Sequence, residues 1–171
     1  MAATEGDVVM DGECKLISQE GKEFTVKLRV AKMSVLVTEM TDEDDTDEVP
    51  EIPLPNVKSN VLEKVIQFCS HHVDDPMPEI EKPLKSHNMA EVVSEWDAKF
   101  VDIDQEVLFE LILASNYMDI KSLLDLTCAK VASMIKGKTP EEIRETFNII
   151  NDFTPEEEAR VREENKWCEE S

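Results

Sequence analysis

Only four glycines occur in the 171 residues, Gly6, Gly12, Gly21 and Gly137, too few and too scattered to build a loop of backbone N–H groups around a nucleotide phosphate. Nucleotide-dependent chemistry is excluded on that ground. Basic residues are scarce too: 18 Lys and Arg stand against 39 Asp and Glu, and the net charge of −21 opposes attraction to phosphate backbones and anionic lipid. Neither nucleic acid nor a membrane is an expected partner. No stretch reaches the roughly 20 apolar residues of a membrane span, and the N-terminus lacks a basic segment followed by an apolar one. No Asn-x-Ser/Thr acceptor occurs. A soluble, intracellular protein is the expectation, in cytoplasm, nucleus or both.

Close cysteine pairs are also missing. Cys14, Cys69, Cys128 and Cys168 stand singly, unlike the paired ligands of a zinc site or the dense cysteines of a small secreted scaffold, so reduced thiols are the simplest reading. Cys69, His71 and His72 gather near a helix end, but one thiolate and two adjacent imidazoles do not converge on a metal without a fourth group. Favourable placement at the negative end of a helix accounts for the histidines. A cysteine nucleophile needs a base and an electropositive setting, whereas each cysteine here lies in an apolar or acidic stretch. Carboxylates are too numerous to single out a pair. No catalytic residue, cofactor or metal is assigned, and the chain reads as a non-enzyme.

What is present is a mixed α/β pattern. Residues 15–18 and 23–27 read as a hairpin around a turn at 19–22 containing Gly21, with Phe24, Val26 and Leu28 alternating with polar neighbours. Val30, Met33, Val37 and Met40 then recur at three and four residues, predicting a helix over 30–40. Residues 42–51 carry seven acidic side chains and no basic one, a self-repelling loop. A short strand follows at 51–54, where Pro53 and Pro55 favour a sheet edge or strand end.

A core helix is expected over 57–72, with Val61, Leu62, Val65, Ile66, Phe68 and Cys69 on its apolar face. Residues 73–93, with Pro76, Pro78 and Pro83 among charges, read as a long, exposed and mobile linker. Leu108, Leu111, Ile112 and Ser115 align on a helix that Asp104 can cap. A turn at 116–120 leads to a second helix over 121–135, stopped by Gly137 in a left-handed conformation. The fold class is α/β (α+β), a small sheet with packed helices and a helical tail.

In that tail Thr-Pro-Glu-Glu occurs twice, from Thr139 and Thr154. Each threonine can accept a backbone N–H, each proline sits where a helix needs no donor, and Glu142 and Glu157 can close capping boxes. Two short helices cannot bury Ile143, Phe147, Ile149, Ile150, Phe153, Val161 and Trp167 against each other. Exposed together, such residues form an apolar patch of a kind monomers seldom leave uncovered, and a partner helix would cover it.

Specific strings carry a resemblance. LFELILASNYMDIKSLLD from Leu108, MIKGKTPEEIR from Met134, TFNI from Thr146 and ENKWC from Glu164, with PLPNV from Pro53, KVIQFC from Lys64 and HHVDDP from His71, closely resemble the S-phase kinase-associated protein 1 family, the adaptors of SCF ubiquitin ligases. The match runs from Lys15 onward. The resemblance implies a flexible N-terminus over 1–13, a BTB/POZ-like cullin-docking domain over 14–136 with mobile loops at 42–51 and 73–93, and two F-box-binding helices over 137–171. Asn116 and Tyr117 would meet the cullin scaffold. Val131, Met134, Ile135, Ile143, Phe147, Asn148, Ile149, Trp167 and Cys168 would clasp the F-box of a substrate receptor.

Glu106 and Val107 replace a small Gly-Thr pair common in the family, and Phe68 replaces a Trp, which leaves the docking residues in place but can alter packing on the cullin side. Pro155 stands in a context that some family members hydroxylate and then glycosylate; a first-position helix proline explains it equally well. The expected function is a non-catalytic adaptor bridging F-box proteins to a cullin. Uncovered, the clasp can meet its own copy as a homodimer around a two-fold axis. The competing function is an acidic chaperone or interaction module for basic proteins, drawn from the charge of −21 and the acidic run over 42–51.

Overall fold

The computed structural model describes residues 12–42 and 49–168, without the side chain of Cys168. Most of the expected flexible N-terminus and of the acidic loop over 42–51 therefore lie outside the described residues. The chain divides into two compact units, Met1–Ser133 and Met134–Ser171, parting inside a helix just before Gly137.

In the first unit the hairpin forms as its alternation requires. Strand β1 (Glu13–Ile17) pairs antiparallel with β2 (Glu23–Lys27), Leu16 opposite Phe24 and Cys14 opposite Val26. Gly21 occupies the turn at φ 79°, which a side chain would strain. Strand β3 (Glu51–Pro53) adds to the other side of β1 in parallel, giving the order β2-β1-β3. Pro53 thus sits on an edge strand, where its missing N–H disrupts no ladder. Cys14, Leu16 and Ile52 point into the core, and burial pushes the Cys14 thiol up to about 11.

The helix expected over 30–40 is two: α1 (Leu28–Ala31) and α2 (Val35–Asp42). A tertiary contact breaks it. Ser34 is buried, its hydroxyl donates to the carbonyl of Met118, and the N–H groups of Val35 and Leu36 donate at 3.2 and 3.4 Å to the carbonyls of Asp119 and Met118. The orphan donors of a helix start are satisfied by a distant turn, which periodicity within the segment cannot reveal.

Helix α3 (Ser59–His72) buries Val61, Leu62, Val65, Phe68 and Cys69, and the Cys69 thiol is raised to about 12 by desolvation. The stretch after it carries no helix or strand until a 3-10 turn at Met89–Glu91, but it is not exposed throughout: Ile80 and Met89 are buried in the core. An unexpected helix, α4 (Glu95–Phe100), follows. Its Ser94-Glu-Trp-Asp97 start is a legible cap, with the Ser94 hydroxyl accepting from the Asp97 N–H at 3.1 Å.

Helix α5 (Gln105–Tyr117) packs on α3. Asp104 holds its N-cap position, yet the Asp104 side chain makes no capping hydrogen bond, contrary to expectation. The helix also runs on through Asn116 and Tyr117, so the expected turn over 116–120 shortens to Met118–Ile120, with Asp119 at φ 51°. Helix α6 (Lys121–Ile135) has the expected bounds and ends before Gly137 at φ 75°.

The second unit holds α7 (Pro140–Phe147) and α8 (Pro155–Glu164), then a 3-10 turn at Lys166–Cys168. Both capping boxes are formed. The hydroxyls of Thr139 and Thr154 each accept from the N–H of Glu142 and Glu157 at 3.3 Å, and those carboxylates accept the threonine N–H groups at 2.8 and 2.9 Å.

Candidate functional site

Two exposed apolar surfaces stand out, one in each unit. In the first, Phe109, Leu113, Asn116 and Tyr117 fall at i, i+4, i+7 and i+8 along α5 and therefore share a face. Leu113 is 69% exposed and Phe109 is 40% exposed, while the opposite face carries the buried Leu108, Leu111 and Ser115. Asn116 is exposed; Tyr117 is half-buried, its ring packed against the core.

The end of α5 is held firmly, because the carbonyls of Met118 and Asp119 accept the first donors of α2. Lys58 pairs with Glu110 beside this face. Sequence reasoning named Asn116 and Tyr117 and missed Phe109 and Leu113. Helix α5 is apolar on nearly every side, so residue type alone does not tell its outer leucine from its inner ones.

In the second unit no residue of α7 or α8 is buried. Their mutual attachment is ionic. Arg162 bonds Glu141 at 2.6 Å, Arg144 approaches Glu158 at 3.4 Å, and the Arg144 guanidinium lies 5.9 Å from the centre of the Phe153 ring. A cleft of about 550 Å³ opens here, with Phe153 and Val161 on its apolar side and Arg144, Arg162, Glu141 and Glu158 on its polar one.

The apolar residues stay outside this scaffold. Trp167 is 70% exposed, Ile149 53% and Ile150 86%, whereas Ile143 and Phe147 are half-buried. Asn148 adopts φ 53° as the C-cap of α7, which lets the N–H of Ile149 donate to the Arg144 carbonyl at 2.8 Å. Its backbone turns the chain and so sets the direction in which Ile149 emerges.

On α6, Val131, Met134 and Ile135 recur at i, i+3 and i+4; the first two are half-buried and Ile135 is exposed. Pro155 is exposed at the first position of α8. Cys168 ends the final turn, and its side chain lies outside the described residues.

The cysteine and histidine cluster resolves differently from expectation. Cys69 and His72 are buried in the first unit, and His72 is bonded to Asp97 rather than being held by helix polarity alone. Among the described residues no group of three His, Cys, Asp or Glu could hold a metal ion, and no helix is long and apolar enough to cross a membrane. The chemistry on display is that of contact: one oily face on α5 and a second oily surface in the loop after α7 and the turn after α8, with charged side chains nearby.

Comparison with known proteins accords with that description. Residues 13–74 match the family model described as Skp1 family, tetramerisation domain, and residues 121–168 match Skp1 family, dimerisation domain. A Tetrahymena thermophila protein named S-phase kinase-associated protein 1 homolog is 57% identical, over 92% of this chain and 94% of the relative. An Arthroderma benhamiae protein named E3 ubiquitin ligase complex SCF subunit sconC is 53% identical over 91% of this chain and 94% of its own length. The Schizosaccharomyces pombe Suppressor of kinetochore protein 1 is 52% identical over 91% and 96%.

Proposed function

The chain belongs to the Skp1 family, and on that premise we propose how it works: it is the non-catalytic adaptor subunit of an SCF-type ubiquitin ligase, bridging an F-box receptor to a cullin. The observation that carries this reading is the outward placement of Ile149 and Trp167 on a unit whose helices bury nothing of their own. The F-box covers Val131, Met134, Ile135, Ile143, Phe147, Asn148, Ile149, Trp167 and Cys168. The cullin meets the α5 face at Asn116 and Tyr117, joined by Leu113 and Phe109.

The mechanism is geometric. Two bodies docked on one small protein meet at a local concentration far above their bulk values, so substrate and transfer machinery are brought within reach without any bond being made or broken by the adaptor. A free clasp can also cover itself against a second copy until a receptor displaces it.

The work takes place in cytoplasm and nucleus, where the buried, protonated thiols of Cys14 and Cys69 suit a reducing environment. Pro155, exposed at the start of α8, is the candidate for hydroxylation and glycosylation; intact mass of native material tests it, and an unmodified mass removes the idea.

The decisive experiment is reciprocal capture. Tyr117→Lys is expected to lose the cullin and keep the F-box protein, and Trp167→Ala to lose the F-box protein and keep the cullin. Loss of both partners from either folded variant contradicts two separable surfaces. The acidic-chaperone reading rests on the net charge and the acidic run over 42–51, and its contacts would fade steeply with salt while an apolar clasp persists.

A further inference from the structure

The buried pair His72 and Asp97 has a role outside both docking surfaces. His72, at the end of α3, is 5% exposed, and Asp97, in the first turn of α4, is fully buried. Both imidazole nitrogens are engaged, Nδ1 at 2.8 Å from the backbone carbonyl of Asp75 and Nε2 at 2.7 Å from Oδ1 of Asp97. The other carboxylate oxygen, Oδ2, accepts from the Ser94 hydroxyl at 2.7 Å.

A carbonyl can only accept, so Nδ1 must carry hydrogen toward Asp75. In a neutral ring that leaves the Nε2 lone pair facing a carboxylate oxygen, two acceptors at hydrogen-bond distance with nothing between them. The arrangement is satisfied only when a further proton lies on that line. It can be described as imidazolium with carboxylate or as imidazole with carboxylic acid; in either form the pair holds one proton more than a neutral histidine beside an ionised aspartate.

We propose that this shared proton is a latch: it ties the end of α3 to the start of α4 and so closes the intervening residues 73–94 onto the first unit, and its loss as pH rises releases them. The latched segment is otherwise short of regular structure. It is held by buried Ile80 and Met89, by half-buried Val73, Met77, Leu84, Val92 and Val93 packed against the core, and by an ion pair from Lys82 to Asp125 at 3.1 Å.

The groups around His72 are aromatic or already paired. From α3, Phe68 lies 4.6 Å away between ring centres and His71 4.7 Å; from α4, Trp96 lies edge-on at 5.6 Å while stacking on His71 at 3.7 Å. The neighbouring charges have other partners: Asp74 binds Arg29, Lys99 binds Glu95 at 2.7 Å, and Lys64 lies over Phe100 at 5.2 Å. Asp97 and the Asp75 carbonyl face the ring directly.

The sign follows from proton counting. The closed arrangement needs a proton on the line between Nε2 and Oδ1 as well as the one on Nδ1, so closing the segment takes up a proton and opening frees it to solvent. Rising pH therefore favours opening, by at most about tenfold per pH unit for one proton. Asp97→Asn should abolish this dependence and keep the fold, because the carboxamide can donate to Nε2 and still accept from Ser94.

Two measurements on the full chain test the latch. Nitrogen NMR of the His72 ring near about pH 7 should show hydrogen on Nδ1 and either hydrogen on Nε2 or a strong bond to it from a protonated Asp97. Amide exchange across 73–94, corrected for its intrinsic pH dependence, should accelerate severalfold to about tenfold per unit above neutrality in the parent chain and stay flat in Asp97→Asn. A bare Nε2 lone pair at neutral pH, a flat profile in the parent chain, or an undiminished slope in Asp97→Asn overturns the proposal.

Discussion

The two units of this protein use apolar side chains in opposite ways. Up to Ser133, the largest ones, Phe68, Leu62, Leu111 and Leu123 among them, are sealed inside, and of those left outside Phe109 and Leu113 share one face of α5 while Val35 and Val49 stand singly elsewhere. After it, α7 and α8 bury none, and their order rests on two capping boxes and a set of arginine–carboxylate pairs. Exposed ion pairs contribute little, typically below about 1 kcal/mol each. The lesson is that the first unit is stabilised by what it hides, while the second is shaped to present what it does not.

The comparison breaks most readily at the core. Leu111→Ala, which removes a fully buried side chain, is expected to cost about 3 to 5 kcal/mol in chemical denaturation of the first unit. Trp167→Ala, although it deletes a larger group, should move the same transition by less than about 0.5 kcal/mol. Comparable losses from the two changes would mean that Trp167 belongs to an interior after all.

Next in size is the effect of Trp167→Ala on partner affinity. Covering an aromatic of this kind is worth about 2 kcal/mol or more at a central contact, so calorimetry with an isolated F-box should show binding weakened by roughly thirtyfold or more. Ile149→Ala should follow in the same direction and less strongly. An unchanged affinity in both would sever exposure from docking in the second unit.

These expectations rest on features that differ in how far they could be read in the chain. Strand β2, helix α6, the left-handed Gly137 and both threonine caps were legible because their causes are local: alternation, a periodic run, a missing Cβ, an oxygen two or three residues from an orphan N–H. The outward Trp167 and Ile149 were legible by elimination, since so few apolar residues near them could make an interior. The split of α1 from α2 was not, because Met118 and Asp119, which cause it, lie far along the chain from the residues they contact. Likewise Ile80 and Met89 sit among prolines and charges whose composition signals exposure, and only the core they reach makes them buried. Leu113 escaped notice for the reverse reason, being apolar in a helix where apolar residues are mostly interior.

Smaller again is the cost of deleting a cap. Thr154→Ala leaves the N–H of Glu157 without its acceptor at 3.3 Å and should lower the stability of α8 by about 1 kcal/mol. Amide exchange in α8 should rise accordingly, while exchange in α3 and α5 stays as it was. A response that spread into α3 would show that the two units share one cooperative transition.

The subtlest probe is acid, because it reaches the same cap without changing a residue. The Glu157 carboxyl is held below its ordinary value chiefly by the N–H of Thr154 and then by the Thr154 hydroxyl, both of which favour the charged form, against a smaller opposing effect of desolvation. A lowered folded value means that this contribution is present above the carboxyl's ordinary range and disappears as pH falls through the lowered one. The Thr154 amide resonance should therefore titrate below an ordinary glutamate, and α8 should begin to fray on the acid side while core amides of α3 remain protected. Glu157→Gln retains an acceptor oxygen but cannot titrate, so it should remove that acid step without melting the helix at neutral pH. If the Thr154 resonance instead follows an ordinary carboxyl, the box is not closed in solution, and the start of α8 owes its position to Pro155 and to the arginine pairs with α7.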